Sequence, residues 1–285
     1  MNLQKKHKTG AFTITVELDP PKSSSAQKIF DQAKRLKGKV DAINIADSPM
    51  SNMRMSPISL SYLLQHNEGI ETIFHLTCRD RNIIGLQSEL LGAAALGVNN
   101  ILTLTGDNPS NGDHPFAKAV FEVDSMGLLD IAHTLNSGKD MAGNKLDEPT
   151  NFYIGTTGNP GADDFDIERQ KLAAKIKNGA NFVQTQPIYD LEQAKRYIDA
   201  MSDFNVPIML GLIPLKSFKM ATYLHEKVPG ISLTQDILDR VEKGGKEAGT
   251  EIAIETLEQI KTIASGVHIM PLNDIDTTLY IIDHV

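Results

Sequence analysis

Short runs of apolar and β-branched residues recur along the chain, and longer amphipathic stretches separate them. The runs are FTITVE (12–17), VDAINIA (40–46), ETIFHLT (71–77), NNILTLT (99–105), NFYIGTT (151–157), ANFVQTQ (180–186), VPIMLGLI (206–213) and GVHIMPL (266–272). Between them, segments such as SAQKIFDQAKRLKG, RNIIGLQSELLGAAALG and FDIERQKLAAKIKNG place apolar residues at i, i+3 and i+4 and stop at glycine, as helices do. The last connection holds two such segments, LTQDILDRVEKGG and GTEIAIETLEQIKTIAS. Strands alternating with helices predict βαβ units and a parallel sheet, and eight units predict an α/β fold of the (β/α)₈ TIM-barrel type. An open doubly wound sheet competes, but no GxGxxG follows the first strand, and the regular count of eight favours closure. The expectation is one catalytic barrel domain over residues 1–285, with residues 1–10 a flexible N-terminal tail.

In such barrels the chemistry sits at the C-terminal ends of the strands. Here those ends are polar. The first strand runs into Glu17 and is stopped by Pro20 and Pro21, which directs a carboxylate to the barrel mouth. The other ends carry Asp47, His75, Thr105-Gly106-Asp107, Asn159, Gln184 and Gln186, and Asn273-Asp274.

Composition narrows the classes. A formal net charge of −8 argues against partners that need a basic face, nucleic acid and anionic membranes. No apolar run is long enough to span a bilayer, and the basic N-terminus lacks the apolar region of a signal peptide. The single cysteine, Cys78, excludes an internal disulfide and a Cys-rich metal site. A cytoplasmic protein without a metal is expected.

Each polar cluster has a functional and a plain reading. Glu17 and Asp107 either share a cavity, where shielding raises a carboxyl pKa and suits proton transfer, or cap neighbouring helices. LTLTGDNPSNGDHP (102–115) brings backbone amides and an acid to a ligand, or simply turns the chain. His75 is a ligand contact or a hydrogen-bonded core histidine, and Cys78 reads as packing. The methionines of SPMSNMRMSP (48–57) line a pocket for a flat ring, or fold under their own loop. Gln184 and Gln186 lie on one side of their strand and offer amides suited to a pterin or flavin edge, or to ordinary rim bonds.

VELDPPK (16–22), HLTCRD (75–80), LTGDNP (104–109), NGANFVQTQPIYD (178–190), GLIPLKSFK (211–219) and IMPLND (269–274), in this order and spacing, resemble the flavin-dependent 5,10-methylenetetrahydrofolate reductases. The likeness runs from about residue 12 to residue 275, and the family fold is a (β/α)₈ barrel. It implies an FAD oxidoreductase interconverting 5,10-methylene- and 5-methyltetrahydrofolate, in a short form without a regulatory extension. NADH or NADPH is the implied donor. Glu17 matches the general acid, Asp107 the aspartate near flavin and pterin, and Gln186 the glutamine that contacts folate. Asp47, His75, Leu104, Thr105, Gly106, Asn159, Glu168 and Lys175 fall at positions around FAD, and Met220, Leu224 and Asp274 on the folate side.

Several positions depart from the family pattern. Thr105 replaces an arginine, Ala46 a threonine, Asp47 a flavin-contacting tyrosine and Asn159 a histidine. Met220 replaces a glutamine, Leu224 an aromatic and Asp274 an arginine. These changes bear on the electron donor. Two other readings follow: the same barrel fed by a protein electron-transfer subunit, or a folate- or methyl-group-binding subunit without redox activity. A homo-oligomer is compatible with all three.

Overall fold

The computed structural model describes residues 2–285. The chain starts with helix α1 (Leu3–Thr9) and then alternates strand and helix. Its first half is β1 (Thr13–Leu18), α2 (Gln27–Leu36), β2 (Ala42–Ile45), α3 (Pro57–Glu68), β3 (Thr72–Thr77), α4 (Ile83–Ala95) and β4 (Asn100–Leu104). Its second half is α5 (Ser125–Asn136), β5 (Tyr153–Gly158), α6 (Phe165–Lys177), β6 (Phe182–Pro187), α7 (Leu191–Met201), β7 (Ile208–Leu212), α8 (Phe218–Lys227), α9 (Gln235–Ile263), β8 (Gly266–Ile269) and α10 (Ile275–Asp283). All eight strands pair in parallel in chain order, and β8 closes on β1 through Thr13↔Gly266 to Val16↔Ile269.

Strand alternation divides the side chains of each strand between two cores. On β1, Val16 and Leu18 face outward into the layer shared with α2, where Ile29, Ala33 and Leu36 are buried. Thr13, Thr15 and Glu17 alternate with them. A fully buried leucine or isoleucine of the outer layer contributes about 1.5–3 kcal/mol.

The inside of the barrel is filled unusually. Its lower part is apolar, built from Leu3, Ala42, Ile73, Leu102, Tyr153, Phe182 and Met209. Gly155 makes room there, because a Cβ at that position would lie 2.3 Å from the Phe182 ring. Above this floor the buried residues Thr15, Asn44, His75, Gln184 and His268 replace the branched aliphatics that usually fill such barrels.

A free tail was expected over residues 1–10; residue 1 lies outside the described residues, and residues 2–10 form helix α1 with its two caps. Leu3 and His7 share one face of α1, four residues apart, and both are buried. Leu3 N donates to Glu71 Oε2 at 2.9 Å, and His7 bonds Tyr153 Oη at 2.8 Å and Thr13 Oγ1 at 3.2 Å. Lys6 pairs with Asp41. The lysines between these anchors hid the two-residue apolar face. The helix plugs the N-terminal end of the barrel.

The two helices expected in the last connection are the halves of α9, broken at Gly245. Helix α10 was not expected. Its apolar residues follow IMPLND directly, with Asp274 as N-cap accepting from Thr277 N at 3.2 Å. Among the described residues no helix is long and apolar enough to cross a membrane.

Candidate active site

A cavity of about 640 Å³ opens at the C-terminal ends of the strands. Glu17 enters it from the penultimate position of β1, which the pleat turns inward, and the prolines that follow end the strand there. His75 comes from β3, Leu104 from the end of β4, and Gln184 and Gln186 from β6. The two glutamines differ in depth: Gln184 is buried and Gln186 half-buried. The loop after β4 adds Gly106 and Asp107, and the β5–α6 segment adds Asn159, Glu168 and Lys175. Glu17 and Asp107 thus share one cavity.

Gly106 has φ +91°, and a Cβ there would lie 2.8 Å from Thr77 Cβ, so the TGD turn needs glycine on both counts. Opposite it, Ser48, Met50 and Ser51 all take left-handed backbone conformations. Ser51 Oγ donates to the Asp107 carbonyl at 2.8 Å, which ties the two loops of the mouth together. Of the three methionines in SPMSNMRMSP, Met50 lines the cavity, Met53 is exposed and Met55 packs on the outer core.

Asp47 lies at the cavity wall but spends its carboxylate on the protein. It accepts from Thr77 N and Thr77 Oγ1, both at 2.9 Å, and from Arg81 Nη1 at 2.7 Å. Glu168 accepts from Asn159 N at 2.7 Å, and Lys175 donates to the Thr157 carbonyl at 2.7 Å. These bonds hold the C-terminal end of β5 against α6.

Four predicted site residues do not reach the cavity. The Thr105 hydroxyl accepts from Ser125 N at 3.0 Å and so serves the start of α5. Leu224 is buried with Tyr189, Ile213 and Ile237 under α8, and Met220 packs on the same cluster. Asp274 caps α10 and pairs with Lys246 at 2.7 Å. Each is engaged by a neighbouring element instead: Thr105 by α5, Leu224 and Met220 by the cluster under α8, and Asp274 by α10 and by Lys246 of α9.

The cavity holds groups that the strand-end reading passed over. His268 of β8 has Nε2 3.7 Å from Glu17 Oε2, and His75 Nδ1 lies 3.9 Å from the same oxygen. Alternation along GVHIMPL puts His268 on the face shared by Thr15 and Glu17, and that signal was legible. Arg79 is buried with Nη1 3.1 Å from the Ser48 carbonyl, and Lys171 adds a further cation at the rim. Nothing in local spacing distinguishes these cations from surface charges.

The electrostatics correct one expectation. Burial pushes the Glu17 carboxyl up, but His268 and His75 together outweigh it and hold it below the usual carboxylate range. His75 moves the other way, pushed down to about 4 by burial despite Glu17 beside it. The carboxyl that is raised is Asp19, by burial and by the charge of Glu17, with Arg54 opposing. Cys78 is buried and pushed up to about 12 by burial, as an inert packing thiol is.

Fold and site together define a (β/α)₈-barrel protein with an acid flanked by two imidazoles at the mouth where such barrels do their chemistry. The family model for methylenetetrahydrofolate reductase matches residues 2–285, and the chain belongs to that family. Methylenetetrahydrofolate reductase 1 of Schizosaccharomyces pombe is 26% identical over 271 residues, which is 90% of this chain and 42% of that protein. The 5,10-methylenetetrahydrofolate reductase of Pectobacterium carotovorum is 25% identical over 260 residues, 87% of this chain and 81% of its own. The chain therefore spans less than half the length of the yeast relative. An uncharacterized Clostridium thermocellum protein that binds two copies of 5-methyl-5,6,7,8-tetrahydrofolic acid shares the fold at TM-score 0.64 and 18% identity. The match covers 98% of this chain and 97% of that one.

Proposed function

We propose that this protein interconverts 5,10-methylenetetrahydrofolate and 5-methyltetrahydrofolate as an FAD-dependent oxidoreductase. The observation that carries the reading is Glu17, a carboxylate at the base of the cavity in a chain of this family, flanked by His75 and His268.

The residues present fit FAD. Leu102, Leu104 and Met270 give the cavity an apolar wall suited to a flat ring, and Arg79, Lys171 and Lys175 supply cations suited to a diphosphate. In this reading Asp47, His75, Gly106, Asn159 and Glu168 shape the cofactor site, while Asp107 and Gln186 meet the folate. FAD, when bound, supplies the hydride acceptor and donor.

The work of the chain itself is proton handling. Opening the methylene-bridged ring breaks a carbon–nitrogen bond, and the departing nitrogen leaves well only when protonated. Glu17 gives that nitrogen its proton in the reductive direction and takes it back in the oxidative one.

An anaerobic titration of the purified protein, reconstituted with FAD, tests the reading. Bleaching of the flavin band by 5-methyltetrahydrofolate is the expected result. Bleaching by NADH or NADPH as well identifies a pyridine-nucleotide donor, and bleaching by 5-methyltetrahydrofolate alone points to a protein electron partner. Failure to take up FAD, with methyltetrahydrofolate still bound, would make the chain a folate-binding subunit and overturn the proposal.

A further inference from the structure

The polar layer inside the barrel forms a closed circuit. Asn44 Nδ2 lies 2.9 Å from His75 Nε2 and 2.7 Å from Gln184 Oε1. Gln184 Nε2 lies 3.1 Å from Thr15 Oγ1 and 3.2 Å from Asn44 Oδ1. Thr15 Oγ1 lies 3.0 Å from His268 Nδ1. His268 and His75 then meet at Glu17 Oε2 from opposite sides, at 3.7 and 3.9 Å.

Counting donors fixes where the protons are. An amide nitrogen carries two hydrogens, and both amides spend both. Asn44 gives one to His75 Nε2, so that nitrogen is bare and a neutral His75 carries its proton on Nδ1, the atom nearest Glu17. The Thr15 hydroxyl accepts from Gln184. Among the described residues its one other partner is His268 Nδ1, so its own hydrogen goes there. That leaves His268 Nδ1 bare and its proton on Nε2, again the atom nearest Glu17.

We infer that Thr15, Gln184 and Asn44 are positioning residues that set the tautomers of both histidines, so that two imidazole N–H groups face one oxygen of an ionised Glu17. Glu17 is thereby poised to receive a proton, and reduction of the methylene substrate requires proton uptake by Glu17 when folate binds. This deepens the proposed function, since it assigns the state of Glu17 that the folate reaction starts from.

Other charges act on the same carboxylate. Asp19 lies two residues along the chain, with Arg54 beyond it, and Asp47 lies behind His75. Asp107, Glu168, Arg79, Lys171 and Lys175 share the cavity. None of these bonds the two rings, so they do not determine the tautomers.

Nitrogen-15 NMR of histidine-labelled, ligand-free protein tests the inference, with His75→Asn and His268→Asn for assignment. The expected result at neutral pH is a pyrrole-type Nδ1 in His75 and a pyrrole-type Nε2 in His268. Thr15→Val should release the tautomer of His268 and leave that of His75 unchanged. It should also raise the titration midpoint of Glu17, followed by carbon-13 label, by about one pH unit.

Turning both amides over would give bare nitrogens toward Glu17 and require it to hold a proton. Finding that tautomer pair, or a Thr15→Val protein whose His268 tautomer and Glu17 midpoint are those of wild type, overturns the inference. If Thr15→Val does not fold, the wild-type tautomers decide alone. These readouts need no turnover, so a protein inactive on folate would overturn the proposed function and leave this test standing.

Discussion

Arg81 grips Asp47 with both terminal nitrogens, Nη1 to Oδ2 at 2.7 Å and Nη2 to Oδ1 at 3.3 Å. Asp47 is buried, and its Oδ2 also accepts from the Thr77 amide. The pair therefore clamps the end of β2 to the end of β3 beneath the cavity. Removing Asp47 leaves the buried Thr77 amide unpaired and Arg81 with only the half-exposed Asp80 as its carboxylate partner, and we expect Asp47→Ala to cost about 3 kcal/mol. Urea unfolding measures it. Asp47→Ala combined with Arg81→Met should recover part of the loss, because the guanidinium deprived of its buried partner is then gone.

Helix α1 gives a second expectation. Leu3 is fully buried in the barrel floor, so Leu3→Ala should destabilise by about 3 kcal/mol, as for other buried leucines. A mobile tail would show no change in the unfolding midpoint.

Acid should loosen both ends of the barrel. Burial pushes His7 and His75 down to about 4 from an ordinary value near 6.5. The unfolded chain thus binds more protons than the folded one between those values, and stability rises with pH there. Each ring contributes about 3 kcal/mol that is present above pH 6.5 and lost as pH falls toward 4. Urea midpoints across that window should fall on acidification, and His7→Gln should flatten the slope by about one proton.

The barrel was legible because each strand is a short β-rich run and most helices announce themselves by period and a terminal glycine. Helix α1 was not, since two buried residues among lysines carry no periodic signal. Reading the strand ends singled out Glu17, His75, Asp107 and Gln186, which line the cavity, but passed over Arg79, whose guanidinium is held by the carbonyl of Ser48 from another loop. His268 was passed over although strand alternation pointed inward, because a histidine inside an apolar run reads as core until β8 is known to pair with β1 beside Glu17. Leu224 and Asp274 were placed at the folate by position in a pattern, whereas packing under α8 and the cap of α10 claim their side chains.

Gly106 offers a test of the mouth. Alanine there must hold a left-handed backbone and push against Thr77 Cβ, so the TGD turn shifts. Gly106→Ala should fold but bind FAD about tenfold more weakly, in line with the roughly 1–3 kcal/mol of strain such a residue carries. Flavin fluorescence quenching reads the affinity, and unchanged binding would separate the turn from the cofactor site.

The last expectation concerns Glu17 and follows from the direction of its shift. With the carboxyl held below the usual range, nearly all free enzyme at neutral pH is the carboxylate. The protonated form then falls about tenfold for each unit of rising pH, and it is the form that the proposed reduction of the methylene substrate would need. kcat/KM for that direction should therefore rise steadily as pH falls through neutrality. The proposed oxidation of methyltetrahydrofolate would use the carboxylate, so its kcat/KM should stay level through neutrality and drop only in acid. Glu17→Gln should keep fold and FAD, lose about 10²–10⁴-fold in both directions, and lose the slope in the reductive one. Stopped-flow reduction and reoxidation of the flavin across pH separates these terms. A reductive slope that survives in Glu17→Gln would assign the proton to another group, with Asp19, the one raised carboxyl beside it, the next to test.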